Sequence, residues 1–144
     1  MYVEQVSVLL ENKTGRLADV TRVLADNHID IKGVCVADTV DFGILRLIVS
    51  DPEAAQEALS SNGFTASVTQ VIAVRLDDVP GGLHEVLDTL RQAGIGLDYI
   101  YSINKIGGGH AGLIFKVSDP EAATKVLTQN GIKLYEQDDL RVTE

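Results

Sequence analysis

The stretch Val49-Ser50-Asp51-Pro52-Glu53-Ala54-Ala55, VSDPEAA, returns unchanged at Val117–Ala123. Identical heptapeptides at positions 49 and 117, an offset of 68, mark an internal repeat. The heptapeptide itself reads as the end of a strand running into a helix. Asp51 is a natural N-cap, Pro52 suits the first helical position, and Glu53 places an acid in the positive first turn. Asn62-Gly63 supplies the stop, and Ser118 to Gly131 repeats the design.

Working back from the heptapeptide, each half carries the same pattern. Val6, Val8 and Leu10 alternate at period two, as a half-buried strand does, and Ile72, Val74 and Leu76 repeat the alternation. Leu17, Val20 and Leu24 follow at helical spacing, matched by Leu83, Val86, Leu87 and Leu90. Ile31 to Asp38 and Gly43 to Val49 read as two further strands, with Asp41 near their turn. Beyond the second helix a closing strand is expected near Thr65–Thr69, and its counterpart near Lys133–Gln137.

Early in each half the offset is 66 rather than 68, since Gly15 and Leu17 match Gly81 and Leu83, and Ile29 and Ile31 match Ile95 and Leu97. Two residues are therefore inserted around Gly107, Gly108 and Gly109, where a hairpin tip absorbs length at little cost. The order β-α-β-β-α-β defines an α+β ferredoxin-like sandwich, an antiparallel sheet with both helices on one face. The expected organisation is two such sandwiches, residues 1–69 and 70–144. They join through Gln70 without a Gly, Pro or Ser linker, which predicts a rigidly packed, pseudo-twofold pair.

Composition limits what such a chain can do. With 144 residues, 45% of them hydrophobic, it buries one ordinary core or two small ones. Twelve basic against 21 acidic side chains give a formal charge of −9, so no field exists to hold nucleic acid or an anionic membrane. No apolar run is long enough to span a bilayer, and Met1 to Leu10 carries Glu4 where a signal peptide needs positive charge. A cytoplasmic protein is expected, and Cys35 as the only cysteine fits a reducing compartment.

The loops that open each half are the candidate site. Asn12-Lys13-Thr14-Gly15-Arg16-Leu17 and Asp78-Val79-Pro80-Gly81-Gly82-Leu83 each lead from a strand into a helix, and both keep a glycine. A glycine there permits close backbone approach, and the free N–H groups of the helix start can hold a carboxylate. An amino acid supplies one. Asn12 or Asp78 could accept from its ammonium, and an apolar strand, with Ile31 at its start, or the facing half could receive its side chain.

These residues resemble the ACT domain, a small regulatory module whose first loop and helix often read Asn-x-Pro-Gly-x-Leu-x-x-Val, followed by Ile-x-Ile. Asn12 to Leu17 with Val20 and Ile29-Asp30-Ile31 fits, with Thr14 where proline is usual. Asp78 to Leu83 with Val86 and Ile95-Gly96-Leu97 looks like a second copy, close to the Asp-x-Pro-Gly form of aspartokinase-type regulatory regions. The resemblance covers nearly the whole chain and implies amino-acid binding at interfaces between ACT units, with allosteric control of an associated enzyme. It also implies a homo-oligomer, no cofactor and no enzyme domain within these residues. Lys13 and Arg16 favour the first loop for carboxylate attraction, and Asp78 favours the second for ammonium contact. The apolar surroundings favour a branched-chain or aromatic ligand.

Blander readings compete at each position. Gly15 and Gly81 could serve the tight turn alone. Gly107-Gly108-Gly109-His110-Ala111-Gly112 matches G-x-G-x-x-G, yet a strand-like stretch follows it, which predicts a hairpin rather than a nucleotide loop. His28, His84 and His110 lack metal-ligand spacing and read as surface residues, so no metal site is expected. Asp77-Asp78 reads as a strand-end acid pair and Asp138-Asp139 as a solvated turn, rather than as general acid and base; no catalytic residue is expected. Cys35 reads as a small buried strand residue, and Tyr99 and Tyr101 as partly buried sheet tyrosines. The rival functions are a ligand-independent regulatory subunit acting by protein contact, and a small ferredoxin-like enzyme using Asp78 and His84.

Overall fold

The computed structural model describes residues 2–11, 13–38, 42–77, 79–104 and 110–141. Asn12, Asp41, Asp78 and Gly107 to Gly109, all singled out from sequence, lie outside the described residues. The chain divides into two compact units. One comprises Glu4–Thr69 and takes in the end of the chain from Leu140; the other comprises Gln70–Asp139 and takes in the start through Val3.

The first run is β1 (Val3–Glu11), α1 (Arg16–Asp26), β2 (Ile31–Asp38), β3 (Phe42–Val49) and α2 (Pro52–Ser61), followed by β4 (Thr65–Leu76). β3 lies antiparallel between β2 and β1, and β4 neighbours β1. Val6, Val8 and Leu10 of β1 share one face with Leu45, Leu47 and Val49 of β3. That face packs against Val20 and Leu24 of α1 and against Ala55 and Leu59 of α2. Both helices thus cover the same side of the sheet, as the period-two and helical patterns require. Leu17 departs from its expected stripe: at the first turn of α1 it is 43% exposed, and the core begins one turn later at Val20.

The second run continues with α3 (Gly82–Gln92), β5 (Leu97–Ile103), β6 (Ala111–Val117), α4 (Pro120–Gln129), β7 (Lys133–Tyr135) and α5 (Gln137–Leu140). Its strand order, β5-β6-β4-β7, repeats that of the first. Ile72, Val74, Leu76, Phe115 and Val117 form its core with Val86, Leu90, Ala123 and Leu127. The fold is therefore two ferredoxin-like β-α-β-β-α-β sandwiches in tandem.

Register confirms the two-residue insertion. Val8 pairs with Leu45 and Val74 with Leu113, so positions 66 apart on one strand face positions 68 apart on the other. The edge strands agree, for Val36 pairs with Leu45 and Ser102 with Leu113. Each edge strand also carries a bulge at the same place, between Ile31 and Gly33 and between Leu97 and Tyr99.

The heptapeptides behave alike. The side chain of Asp51 accepts from the backbone N–H of Ala54 at 3.1 Å, and that of Asp119 from Ala122 at 3.0 Å. Asn62 and Asn130 end their helices, followed by Gly63 at φ 86° and Gly131 at φ 75°.

The strand expected at Thr65–Thr69 passes through Gln70 into the next opening strand, as its linker-free sequence implies, giving one β4 of 12 residues. Two details differ from the sequence reading. The strand expected to reach Gln137 stops at Tyr135. There Asp139 accepts from the Glu136 N–H at 2.7 Å and starts the short α5, so Asp138 and Asp139 lie in a helix rather than a turn. Leu140 at its end is wholly buried. Cys35 is half-buried rather than buried, because β2 is the edge of its sheet.

Candidate ligand-binding loops

The two glycine loops share one conformation. Lys13 N–H donates to the Glu11 carbonyl at 2.8 Å, and Val79 N–H to that of Asp77 at 2.9 Å. Arg16 N–H then turns back to Lys13, and Gly82 N–H to Val79. Gly15 caps α1 at φ 86°, ψ −4°, and Gly81 caps α3 at φ 87°, ψ −7°. This left-handed conformation costs any L-residue with a Cβ, so each glycine has a local reason to be there. Space is not that reason, since a Cβ at either position would meet nothing within 4 Å.

Helix capping separates the helices into two kinds. α2 and α4 are closed by aspartate side chains, whereas α1 and α3 have no side-chain cap. The first backbone N–H groups of α1 and α3 therefore lack a side-chain acceptor, at the positive end of each helix dipole.

The charged residues of the first loop are engaged locally. Lys13 pairs with Glu11 at 3.0 Å, and this hydrogen-bonded ammonium holds the Glu11 carboxyl below its ordinary range. Arg16 folds inward over the Phe64 ring, 4.4 Å from its centroid, and meets Asp19 at 3.6 Å. Thr14 and Leu17 stay exposed, while Ile31 packs against the core. The first loop thus exposes Thr14, Gly15 and Leu17, while its arginine is engaged by Phe64 and Asp19.

In the second loop Val79, Pro80, Gly81 and Leu83 are exposed and Gly82 is half-buried. A groove of about 460 Å³ runs beside it, walled by Leu76, Val79, Leu83 and Leu113 with Asp77, Ser102 and His110. A second groove, about 320 Å³, lies on the other flank of Asp77 and Val79 and includes Arg75, Glu85 and Lys133.

His110 differs from the surface residue expected. It is half-buried, accepts at Nε2 from Arg75 Nη2, and places Nδ1 3.4 Å from Asp77 Oδ1. That network assigns the proton to Nδ1. His28 and His84 are exposed, and among the described residues no group of three or more His, Cys, Asp or Glu side chains is placed to hold a metal. Tyr99 and Tyr101 stack with centroids 6.4 Å apart.

Arg75 and Lys133, 58 positions apart, escape any reading by motif because only strand register brings them together. The repeat itself held a signal: Leu9 and Phe42 stand in the first half where Arg75 and His110 stand in the second.

Comparison with known proteins places the chain. The family model described as an ACT domain pair matches residues 1–143. Protein BT0572 from Bacteroides thetaiotaomicron has 38% sequence identity, with 98% of this chain and 96% of that one covered and a TM-score of 0.91. The regulatory subunit of aspartate kinase from Thermus thermophilus shares the fold at 17% identity, with coverage of 88% and 91% and a TM-score of 0.60. No curated protein sequence matches the chain. Among the described residues, no helix is long and apolar enough to cross a membrane.

Proposed function

The chain belongs to the ACT domain pair family, and on that premise we propose that it is an amino-acid-binding regulatory protein. Residues 1–69 and 70–144 act as its two ACT repeats. The ligand is read at Lys13–Leu17 and Val79–Leu83, together with the flanking Asn12 and Asp78. Its occupancy controls a partner enzyme of amino-acid metabolism in the cytoplasm, and the units pair as a homo-oligomer to complete the sites.

One observation carries this reading: in each repeat the helix after the glycine loop lacks a side-chain cap, while the other helix has one. Because α2 and α4 close their own starts and α1 and α3 do not, the two open starts suit an external acceptor, and the carboxylate of an amino acid fits. At the second loop Val79, Leu83 and Leu113 offer an apolar wall for its side chain, and Asp77 an acceptor for its ammonium. Lys13 and Arg16 support the carboxylate less than their charge alone suggests, because both have local partners. A switch requires that ligand and partner share a coupling free energy, commonly ~1 to 3 kcal/mol.

The test is a thermal-shift screen of the whole protein against the common amino acids, followed by calorimetry on each hit. A selective rise in melting temperature, weakened by Leu83→Lys, supports the proposal, since a ligand of the native state must stabilise it. Silence across the panel overturns it. The second reading, partner binding without a ligand, then takes over. It is favoured by Val34 and Val36, 54% and 44% exposed on edge strand β2.

A further inference from the structure

The second unit holds a groove in which two cations face each other, with no counterpart in the residues of the first. About 430 Å³ in volume, it is lined by Arg75 of β4, by Lys133, Leu134 and Tyr135 of β7, and by Glu136 and Asp139 beyond. Arg75 and Lys133 are direct cross-strand partners in the β4–β7 ladder. Like charges directly opposite destabilise a sheet. Here both are cations in a chain of net charge −9, and no acidic side chain pairs with either among the described residues. Among the described residues Arg75 donates to the ring nitrogen His110 Nε2.

A third group converges on the same place. Ala73 pairs with Tyr135, so Tyr135 shares a face with Arg75 and Lys133. Its ring reaches across β4 towards Gly112, where an added Cβ would lie 3.5 Å from Tyr135 Cε2 and 2.6 Å from Ile103 Cγ1. The residue is only 6% exposed, and its hydroxyl has no hydrogen-bond partner among the described residues. A buried hydroxyl normally finds one. In the first repeat Leu9, Thr65, Ser67 and Ile44 stand at the positions of Arg75, Lys133, Tyr135 and Gly112, so the arrangement belongs to the second repeat alone.

We infer that this groove is a binding site for a small monocarboxylate, held by the Arg75 guanidinium and Lys133 with the Tyr135 hydroxyl as a further donor. A planar carboxylate matches the fork of an arginine and neutralises two facing cations at once. Glu136 and Asp139 line the same groove and disfavour a second negative charge on the ligand. The site goes beyond the glycine loops and does not depend on them.

The test titrates the isotope-labelled whole protein with lactate, alanine and phosphate, read by backbone amide NMR. Lactate is expected to shift the amides of Arg75, His110, Gly112 and residues 133–135 saturably. Alanine, equal in size with an ammonium in place of the hydroxyl, shifts the same amides if the carboxylate is what is read. Arg75→Lys keeps the charge and loses the fork, and should weaken lactate binding about tenfold. Tyr135→Phe should weaken it about threefold without lowering the melting temperature, whereas a hydroxyl that is merely buried would leave the affinity alone. Unmoved groove amides with lactate, an Arg75→Lys titration like wild type, or tighter binding of phosphate than lactate each overturn the inference. Alanine shifts confined to residues 13–17 and 79–83 overturn it too, while supporting the glycine-loop proposal. Groove shifts with lactate after a silent thermal screen sustain it and remove that proposal.

Discussion

The Arg16 guanidinium lies over the Phe64 ring, its carbon 4.4 Å from the centroid. The contact ties the first residue of α1 to the turn that precedes β4, within one repeat. A cation over an aromatic face at a partly exposed site contributes about 0.5–1 kcal/mol. The second repeat has Gly82 and Ile132 at these positions and holds its loop without such a contact. In a double-mutant cycle of Arg16→Met and Phe64→Leu, urea unfolding should return a coupling energy of about 0.5–1 kcal/mol. A coupling of zero would show that the stack is geometric only.

Gly15 and Gly81 sit at φ 86° and 87° with open space around the missing Cβ. Replacing either with alanine should cost about 1–2 kcal/mol, all of it conformational. Asparagine tolerates this region better and should cost less at both positions. Thermal unfolding of the four single variants checks the ranking, and an alanine variant as stable as wild type would contradict the loop conformation.

Asp51→Ala and Asp119→Ala should each cost about 1 kcal/mol, the usual loss when a side-chain cap is removed. The sites lie in separate repeats, so the double variant should lose the sum of the two. Chemical denaturation measures both. Equal losses are expected, because the two caps match within 0.1 Å, at 3.1 and 3.0 Å.

Asp88 is held below its ordinary range chiefly by its hydrogen bond from Arg91, against a desolvation effect that raises it. A depressed folded value means that the pair's contribution is present above the unfolded value, near 3.8, and is lost as pH falls through the lower folded one. NMR titration of the carboxyl should therefore find a midpoint under 3.8, moving upward in Arg91→Gln. An unmoved midpoint would assign the shift elsewhere.

Burial pushes the Tyr135 hydroxyl above the usual 10.0, with Arg75 working against the rise and Asp139 with it. The folded state then holds its proton longer than the unfolded chain, so stability falls as pH climbs from the unfolded value through the folded one. The difference between absorbance titrations of wild type and Tyr135→Phe should show phenolate appearing above pH 10.0. Appearance at or below it would place the hydroxyl in water.

What could be read from sequence was whatever depends on local pattern. Asp51, Pro52 and Gly63 announce a helix by mechanisms confined to a few residues, and the alternation of Val6, Val8 and Leu10 fixes which strand face is buried. Leu17 misled because helical spacing says which residues share a stripe, not where that stripe meets the sheet. Tyr135 ended its strand early because Asp139 captures a backbone N–H, a contest between two satisfactory local structures. The loops were found through a glycine whose backbone demand is local, whereas the inward turn of Arg16 depends on Phe64, 48 positions away, and the Arg75–Lys133 pair on a register no single segment contains.

The two extra residues between Ile103 and Gly112 show what duplication leaves free. Paired strands read side chains in twos, so a gain of one residue inside a strand would turn every following side chain to the opposite face, core outward and charge inward. A gain at the tip between β5 and β6 leaves every pairing untouched, and the matched partners Val8–Leu45 and Val74–Leu113 record that it did. The gene could therefore lengthen one copy without renegotiating its interior. With the pairing preserved, the two copies differ in chemistry at single positions, the second carrying Arg75 and His110 where the first carries Leu9 and Phe42.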